Sequence, residues 1–167
     1  MKQNTTEANE YFDILLTPIG TLYLIFSSGL LTCISFERPA GIIMKKTGNS
    51  AVVKKELTEY FEKKRKEFSC KTFFDHGTDF EKRVWNALLA IPYGETRTYK
   101  WIAAEAGNPQ AFRAAGNALG KNPIPVIFPC HRIIESDGSL GGYSSGTGIK
   151  RRLLDIEYYA KLEEKLP

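Results

Sequence analysis

The stretch TYKWIAAEAGNPQAFRAAGNALG, residues 98–120, contains two short helical segments with only a few residues between them. Thr98 is placed to cap a first helix, which Gly107 ends. Asn108 as the cap and Pro109 in the first helical position predict the start of the second helix. Two short helices joined so closely predict a helix-turn-helix, and this motif decides the fold of the C-terminal half of the chain.

The second of these helices has mostly small side chains and one cation, Arg113. The small residues are Ala111, Ala114, Ala115, Gly116 and Ala118. Close packing against a neighbouring helix explains them. The alternative is insertion into a DNA minor groove, which is only about 6 Å wide, with Arg113 reaching into the duplex. The residues of this helix alone leave both explanations open.

A further helix is predicted just upstream of the helix-turn-helix. Thr78 and Glu81 have the spacing of a capping box, in which each residue bonds the backbone N–H of the other. Apolar residues then recur at helical intervals. The helix should therefore begin near Asp79 and end before Pro92.

The N-terminal part of the chain predicts a small sheet. Residues 11–36, YFDILLTPIGTLYLIFSSGLLTCISF, are short apolar runs interrupted at Pro18-Ile19-Gly20 and at Ser27-Ser28-Gly29. This pattern predicts three strands joined by tight turns. Apolar residues at helical intervals over 53–68 then predict one amphipathic helix. The basic run at 63–66 fits the solvated face of that helix better than a nucleic-acid site.

The pattern changes between residues 71 and 77, which predicts two domains, 1–76 and 77–167. A length of 167 residues suits one substantial core or two small domains. We expect an α+β fold, in which a small antiparallel sheet with a helix precedes a mostly helical domain that contains the helix-turn-helix. The net charge of +4 permits an anionic partner such as nucleic acid without requiring one.

Composition also bears on the cellular location and on the cysteines. No apolar run approaches the roughly 20 residues that span a bilayer, and the first ten residues lack the apolar core of a signal peptide. We therefore expect a cytoplasmic protein with no membrane partner. Cys33, Cys70 and Cys130 are odd in number and lack short paired spacing, which argues against a disulfide framework and a zinc knuckle.

Cys130 lies near the end of the stretch NPIPVIFPCHRII, residues 122–134. A free cysteine in an apolar run is usually an inert small hydrophobe. His131 follows it directly, however, and a histidine can take the proton of a thiol either directly or through a water molecule. Neighbouring ligands without a second Cys/His cluster make a poor zinc site, so we expect no metal here. A packing role and a nucleophilic role both remain open for Cys130.

A histidine that acts as a base needs an acceptor on its other ring nitrogen, which holds the ring in the right orientation. Glu157 is one candidate, on a helix predicted over residues 149–159. Glu135 and Asp137 are alternatives closer in the sequence. The sequence leaves the choice between these three carboxylates open.

The segments on either side of the cysteine carry further structural signals. Because Pro123, Pro125 and Pro129 fix φ and donate no backbone hydrogen bond, we predict a stiff extended segment rather than a helix. Asn122 begins this segment and can tie it to the preceding turn. The Gly/Ser-rich stretch 136–148 is long enough to border a pocket or to form a mobile surface loop.

Four stretches, in order along the chain, resemble the O6-alkylguanine-DNA alkyltransferases, also called methylated-DNA–protein-cysteine methyltransferases. They are FEKRVWNALLAIPYGETRTYKWIA (80–103), AGNPQAFRAAGNALGKNP (106–123), IPVIFPCHRII (124–134) and GSLGGYSSG (138–146), nearly half of the chain. The resemblance implies a winged-helix-like C-terminal domain and an N-terminal domain that is ribonuclease H-like in kind.

The resemblance implies direct-reversal DNA repair. A methyl or larger alkyl group passes from O6 of guanine to Cys130, irreversibly and once per protein molecule, and O4 of thymine is a further candidate donor. The implied partner is double-stranded DNA that contains O6-alkylguanine. The protein is expected to be a monomer that binds through the minor groove, flips the nucleotide out and needs no cofactor.

The resemblance also implies roles for single residues in the reaction. Cys130 matches the alkyl acceptor, His131 its water-linked base and Glu157 the residue that orients the histidine. Asn122 matches a residue that braces the active-site segment. Tyr99 matches the tyrosine that helps to rotate the nucleotide and gives a proton to the departing guanine.

Contacts with DNA and with the alkylated base follow from the same resemblance. Arg113 is implied to fill the place of the flipped base, in a DNA-binding set of Arg113, Tyr99, Ala111, Phe112 and Gly116. The implied pocket residues are Leu119, Pro125, Ile133, Tyr143 and Ser144. Phe112 is bulkier than the small residue expected before the arginine, and it could act as an extra wedge.

Two other functions compete with repair. A non-enzymatic binder of DNA lesions could use the same helix-turn-helix. Alkyltransferase-like proteins of this kind carry tryptophan at the cysteine position, so Cys130 argues against that function. A cysteine hydrolase needs an oxyanion hole and access of water to an acyl intermediate, and nothing in the sequence specifies either.

Overall fold

The structure is a computed structural model that describes residues 9–166. Its main sheet begins with an antiparallel meander of β1 (Tyr11–Thr17), β2 (Gly20–Ser27) and β3 (Leu30–Ser35). The turn between β2 and β3 has positive φ at both Ser28 (51°) and Gly29 (82°). Such a turn matches the twist of the flanking strands. The three strands and tight turns predicted for residues 11–36 are confirmed.

A fourth strand, β4 (Ile43–Met44), pairs in parallel with β1 and gives the strand order β3-β2-β1-β4. The prediction of a purely antiparallel sheet is therefore wrong at this edge. β4 is only two residues long and lies within a polar stretch, so it has no alternating pattern that sequence could reveal.

Helix α1 (Gly48–Phe61) covers one face of the sheet. Its buried residues Val53, Leu57 and Tyr60 recur at helical spacing, and they pack in the same core as the alternate β2 residues Leu22, Leu24 and Phe26. The predicted helix was too long at its C-terminal end. The chain leaves the helix at Lys63, where φ is 62°, so Phe68 does not belong to α1.

The basic run at 63–66 lies beyond α1 rather than on its polar face. Lys63 pairs with Glu163 at 2.5 Å, and Lys66 pairs with Glu164 at 2.7 Å. Arg65 pairs with Glu59 at 2.7 Å. These cations are neutralised by glutamates, two of which lie near the C-terminal end of the described chain, so the run is not an open anion-binding surface.

The helices of the C-terminal half are α2 (Asp79–Ala87), α3 (Tyr99–Glu105), α4 (Phe112–Gly120) and α5 (Thr147–Glu163). The capping box predicted for α2 is confirmed, with Glu81 N to Thr78 Oγ1 at 3.2 Å and Thr78 N to Glu81 Oε2 at 2.9 Å. Thr98 caps α3 by accepting a hydrogen bond from the Trp101 N–H at 3.2 Å. A 3-10 turn, Leu88–Ala90, extends α2.

Helix α4 starts three residues later than predicted. Ala111 donates its N–H to the Asn108 carbonyl at 3.0 Å, so residues 108–111 form a turn outside the helix. Ala111, with φ −89° and ψ 32°, is the N-cap, and its side chain makes no capping bond. The assignments of Asn108 as cap and Pro109 as first helical residue are therefore wrong. Helices α3 and α4 still pack against each other and against α2, as a helix-turn-helix requires.

The proline-rich segment before Cys130 is folded into turns, so the prediction of an extended segment is wrong. Phe128 donates its N–H to the Ile124 carbonyl at 3.0 Å, and Val126 has a φ of 74°. The φ of proline suits a turn as well as it suits an extended chain. A 3-10 turn, Cys130–Arg132, follows and leads into β6 (Ile133–Ile134), which pairs in parallel with β5 (Arg97–Thr98).

One continuous apolar core joins the sheet to the C-terminal helices. The Ile34 N–H donates to the Pro123 carbonyl at 2.8 Å, and the Phe74 and Phe128 rings lie 4.7 Å apart. Strand β3 and the segment between α1 and α2, which contains Phe74, thus hold the proline-rich turns in place. Among residues 9–166, no helix is long and apolar enough to cross a membrane.

Trp85 provides a test of this packing. Its ring is fully buried, and its indole N–H donates to the Ala118 carbonyl at 2.8 Å, which links α2 to α4. Trp85→Phe should lower the free energy of unfolding by roughly 2 kcal/mol, because it opens a cavity and removes the hydrogen bond from the indole to the Ala118 carbonyl. Urea unfolding measures the change. Trp101→Phe, at a partly buried ring, is the matched control, and an equal loss in both variants would contradict the assignment.

Candidate active site

A cleft of about 340 Å³ opens between α3, α4 and the loop that follows β6. Cys130 lies in this cleft and is only 6% exposed. The cleft is lined by Tyr99, Gly116, Leu119, Gly120, Cys130, Glu135, Gly142, Tyr143 and Ser144. Five residues predicted for the reaction, DNA or pocket roles therefore share this cleft with Cys130, namely Tyr99, Gly116, Leu119, Tyr143 and Ser144.

The thiol of Cys130 is held in its protonated form. Burial raises the pKa of the thiol, and the nearby Asn122 amide, Tyr143 hydroxyl and Lys150 ammonium oppose that effect only in part. Burial also raises the pKa of Cys33 to about 11 and that of Cys70 to about 12, but neither residue lines this cleft. Cys130 is thus the cysteine that a molecule in the cleft can reach, and it needs a base to become a nucleophile.

His131 follows Cys130 in the 3-10 turn Cys130–Arg132 and is fully buried. Its Nε2 is 2.7 Å from Glu157 Oε1. Burial lowers the pKa of His131 despite the neighbouring carboxylate, so the ring is neutral at pH 7 and carries its proton on Nε2. Within the described residues Nδ1 has no hydrogen-bond partner, which leaves its lone pair free to accept a proton.

Glu157 is a buried carboxylate with both oxygens occupied. Oε1 accepts from the Tyr60 hydroxyl at 2.8 Å and from Arg132 Nη2 at 3.0 Å, in addition to His131. Oε2 accepts from the Gly94 N–H at 2.8 Å and from Arg132 Nε at 3.0 Å. Burial raises the pKa of this carboxyl, but His131 and Arg132 outweigh burial and lower the pKa to about 2.

Of the three carboxylates considered for His131, Glu157 is the one that contacts the ring. Glu135 is exposed at the cleft. Burial, and to a smaller extent the Glu135 carboxylate, raises the pKa of Tyr99. Asp137 is exposed and accepts a hydrogen bond from the Ser139 N–H at 2.9 Å. Neither of the two local alternatives is bonded to the His131 ring.

Asn122 spans the turns that lead to Cys130. Its Nδ2 donates to the Phe128 carbonyl at 2.8 Å, and its Oδ1 accepts from the Ile124 N–H at 3.1 Å. One side chain thus closes the segment at both ends. Its amide also lies close enough to the thiol to lower the pKa of Cys130.

The loop wall opposite α4 is held by Lys150, whose buried ammonium donates to the carbonyls of Leu140 and Gly142. Tyr143 lies just beyond these carbonyls. Its hydroxyl is buried, lacks a hydrogen-bond partner among residues 9–166, and is close enough to Cys130 for each group to affect the pKa of the other. The loop therefore brings the Tyr143 hydroxyl close to the Cys130 sulfur.

Helix α4 has one buried face and one exposed face. Ala115 and Ala118 are buried, whereas Arg113 and Ala114 are exposed. Gly116 lies beside Tyr99, because a Cβ at this glycine would sit 3.6 Å from the tyrosine ring. Close packing thus explains part of the helix, and the other part forms an open surface next to the cleft.

The remaining predicted residues lie outside the cleft lining. Ala111 and Phe112 are at the N-terminal end of α4, where the Phe112 side chain is 39% exposed. Ile133 is fully buried in β6, and Pro125 borders a separate depression that it shares with Asn122 and Ser144. The structure therefore does not bring Pro125 and Ile133 to the cleft with the other predicted pocket residues.

Three side chains of the site were not predicted, namely Tyr60, Arg132 and Lys150, and Glu135 was considered only as a partner of His131. Arg132 could have been suspected, because it follows the histidine and a buried carboxylate needs a cation. No local pattern distinguishes Lys150 or Tyr60. Within residues 9–166, no group of three His, Cys, Asp or Glu side chains could hold a metal ion.

Comparison with known proteins points to one family. Residues 79–159 match the 6-O-methylguanine DNA methyltransferase, DNA binding domain. The methylated-DNA–protein-cysteine methyltransferase of Methanosarcina barkeri is 46% identical over 154 residues, which cover 88% of this chain and 96% of that protein. The constitutive protein of the same name from Bacillus subtilis is 39% identical over 157 residues, covering 88% of this chain and 94% of that one.

Solved structures agree with the sequences. The crystal structure of Mycobacterium tuberculosis O6-methylguanine methyltransferase has a TM-score of 0.82 and 39% identity, covering 90% of this chain and 94% of that chain. The structure of Mycobacterium tuberculosis OGT in complex with DNA has a TM-score of 0.83 at the same identity and coverage. Identity over nearly the full length of both chains, with a matching mixed α/β fold, means that this chain belongs to the methylated-DNA–protein-cysteine methyltransferase family.

Proposed function

We propose that this protein repairs DNA by direct reversal, through transfer of a methyl or larger alkyl group from O6 of guanine to the sulfur of Cys130. The observation that carries the proposal is the buried thiol in the cleft, followed directly in the chain by a neutral His131 ring that is bonded to the ionised Glu157. A soft thiolate suits displacement at an alkyl carbon.

The reaction begins with removal of the thiol proton. The proton of Cys130 passes, through a water molecule, to the free Nδ1 lone pair of His131, and Glu157 stabilises the resulting imidazolium. The thiolate then attacks the alkyl carbon, so that a C–S bond forms as the C–O6 bond breaks. The electron pair of the broken bond stays on the guanine, which takes up a proton at a ring nitrogen as it leaves.

Tyr99 is the proposed donor of that proton. Burial and the Glu135 carboxylate raise the pKa of its hydroxyl, so Tyr99 keeps its proton at neutral pH and can give it in a hydrogen bond to the base. The product is a thioether on Cys130. Because a thioether does not hydrolyse at neutral pH, each protein molecule reacts once. The proposed steps use no cofactor.

The DNA partner is proposed to bind on the open face of α4. The O6 substituent is out of reach inside a duplex, so the nucleotide must leave the stack, at a cost of a few kcal/mol. Arg113 is exposed on this face, next to the cleft, and can fill the space that the nucleotide leaves. The exposed Phe112 ring beside it is a candidate second wedge, and the small residues let the helix approach the minor groove.

The finer architecture is also part of the proposal. The sheet with α1 is ribonuclease H-like in kind, and α3 and α4 with the short β5–β6 pair form a winged-helix-like unit. The division at residues 76 and 77 assigns the cleft and the DNA-facing helix to the second unit. We propose that a monomer in the cytoplasm carries out the reaction.

Alkyl transfer to Cys130 can be tested by mass spectrometry. The protein is mixed with a duplex oligonucleotide that contains one O6-methylguanine. We expect one added methylene mass on the peptide that carries Cys130, saturating at one equivalent, and none in Cys130→Ala. Cys70→Ala, at a cysteine outside the cleft, should react normally. Selective binding of the lesion without a change in mass would leave a recognition protein and sink the repair mechanism.

Arg113→Ala should slow repair in duplex DNA by roughly 10- to 100-fold, because the cost of flipping is no longer offset. The rate with the free base O6-methylguanine, which needs no flipping, should change little. Lys55→Ala, at an exposed lysine on α1, controls for the lost positive charge. Equal losses with duplex and free base would mean that Arg113 acts on the chemistry or the fold instead.

The pH dependence of transfer follows from the histidine. Because burial lowers the pKa of His131, the ring stays neutral even below the usual pKa of about 6.5. The rate of alkyl transfer should therefore stay constant from pH 8 down to at least about pH 6.5. The rate then falls as the pH passes through the depressed pKa. Glu157, with a pKa of about 2, stays ionised throughout, so its contribution to stability is retained above the unfolded value of about 4.3. A rate already halved at pH 7.5 would contradict this role for His131.

A further inference from the structure

Helix α1 contributes one side chain to the Glu157 network from outside the C-terminal helices. Tyr60 lies in the last turn of α1 and is fully buried. Its hydroxyl donates to Glu157 Oε1 at 2.8 Å. The same oxygen accepts from His131 Nε2 at 2.7 Å, so the tyrosine and the histidine share one acceptor atom.

The Tyr60 ring has little freedom to move. It packs edge-on against Phe61 and Tyr93, with ring centroids 5.2 Å and 5.9 Å away, and it lies 5.6 Å from Phe68. Burial and the Glu157 carboxylate raise the pKa of the Tyr60 hydroxyl well above its usual value. The hydroxyl is therefore a fixed donor throughout the pH range of the reaction.

A shared acceptor sets how strongly the carboxylate attracts the histidine proton. Each hydrogen bond to Oε1 draws off negative charge, which leaves less to stabilise a protonated His131 ring. The other groups that face the pair are the Arg132 guanidinium, which is bonded to both oxygens, the Lys150 ammonium on α5, and the Cys130 thiol and Tyr93 hydroxyl. Tyr60 is the one donor to Oε1 from α1.

We propose that Tyr60 is a positioning residue for alkyl transfer: its hydroxyl fixes the Glu157 carboxylate and limits the basicity of His131. The sheet and α1 would thereby tune the reaction as well as supporting the second unit. This inference rests on the proposed function, because it assigns a task within the same proton transfer.

The test is Tyr60→Phe in the full-length protein, which removes one oxygen atom and keeps the packed ring. Without the tyrosine donor, Oε1 attracts the imidazolium more strongly, so the pKa of His131 rises. Single-turnover rates of methyl transfer are measured by intact mass over a range of pH. The acid limb of this profile, where the rate falls as His131 becomes protonated, should move to higher pH by about half to one unit. The rate on that limb should fall roughly threefold to tenfold, while the rate at pH 9 stays within about twofold.

Tyr93→Phe is the matched control. Tyr93 packs against Tyr60, and within the described residues its buried hydroxyl has no hydrogen-bond partner. The control therefore removes a hydroxyl from the same cluster without removing a bond to Glu157, and it should leave the pH profile unchanged. If Tyr60→Phe shifts the acid limb no further than Tyr93→Phe does, or shifts it downward, the hydroxyl is only structural and the inference fails.

A second readout separates this inference from the proposed function. The chain has only two histidines, His131 and the exposed His76, so a proton NMR titration can follow His131 with His76 as an internal reference. Tyr60→Phe should raise the pKa of His131 and leave His76 unaffected. If the wild-type protein transfers no methyl group but the NMR shift is present, the proposed function fails and the coupling stands. Normal methyl transfer without the NMR shift would overturn the coupling alone.

Discussion

A carboxylate buried in a protein costs several kcal/mol unless charges and hydrogen bonds replace the water that it has lost. Glu157, on α5, is fully buried, and its partners come from three separate parts of the chain: α1, the turn at Gly94 and the 3-10 turn Cys130–Arg132. Helix α5 can bury Glu157 against α1 and the active-site turn only if these donors arrive together. This single requirement therefore fixes how α1, the active-site turn and α5 are arranged.

The same network decides the protonation states in the active site. Arg132 supplies the positive charge that balances Glu157, and it is anchored by a bond from Nη1 to the Ile91 carbonyl at 2.7 Å. Since the carboxylate is already neutralised, His131 need not be charged and is left as a neutral base. A histidine paired with an isolated carboxylate would be protonated more readily and would be a poorer acceptor for the thiol proton. Stability and reactivity thus share one set of contacts.

The sequence predicted best the features that depend on neighbouring residues. Capping by Thr78 and Thr98, the hairpin at Ser28 and Gly29, and the adjacency of Cys130 to His131 all arise within a few positions. Features that depend on tertiary contacts were predicted poorly. The proline-rich segment folds into turns because the Asn122 side chain and β3 hold it, and its proline φ angles are equally suited to an extended chain.

The same contrast between local and long-range features holds for the residues of the site. The sequence reduced the candidates for the carboxylate partner of His131 to three residues. Only tertiary packing selects Glu157, because Glu135 and Asp137, which are nearer in the sequence, remain at the surface. Tyr60 is 97 residues away from Glu157 in the chain and carries no local signal. Long-range partners of this kind become visible only when the core that joins the two halves is known.

Burial of the thiol also bears on when the protein can react. A cysteine whose pKa is raised by burial exists mostly as the thiol, which is a poor nucleophile toward alkylating and oxidising agents in solution. In the proposed mechanism its reactivity depends on transfer of the proton to His131, and an alkylated guanine that fills the cleft excludes bulk water and aligns the alkyl carbon with the sulfur. For a protein that can react only once, a thiol that stays protonated until the cleft is occupied preserves the acceptor for its proper substrate.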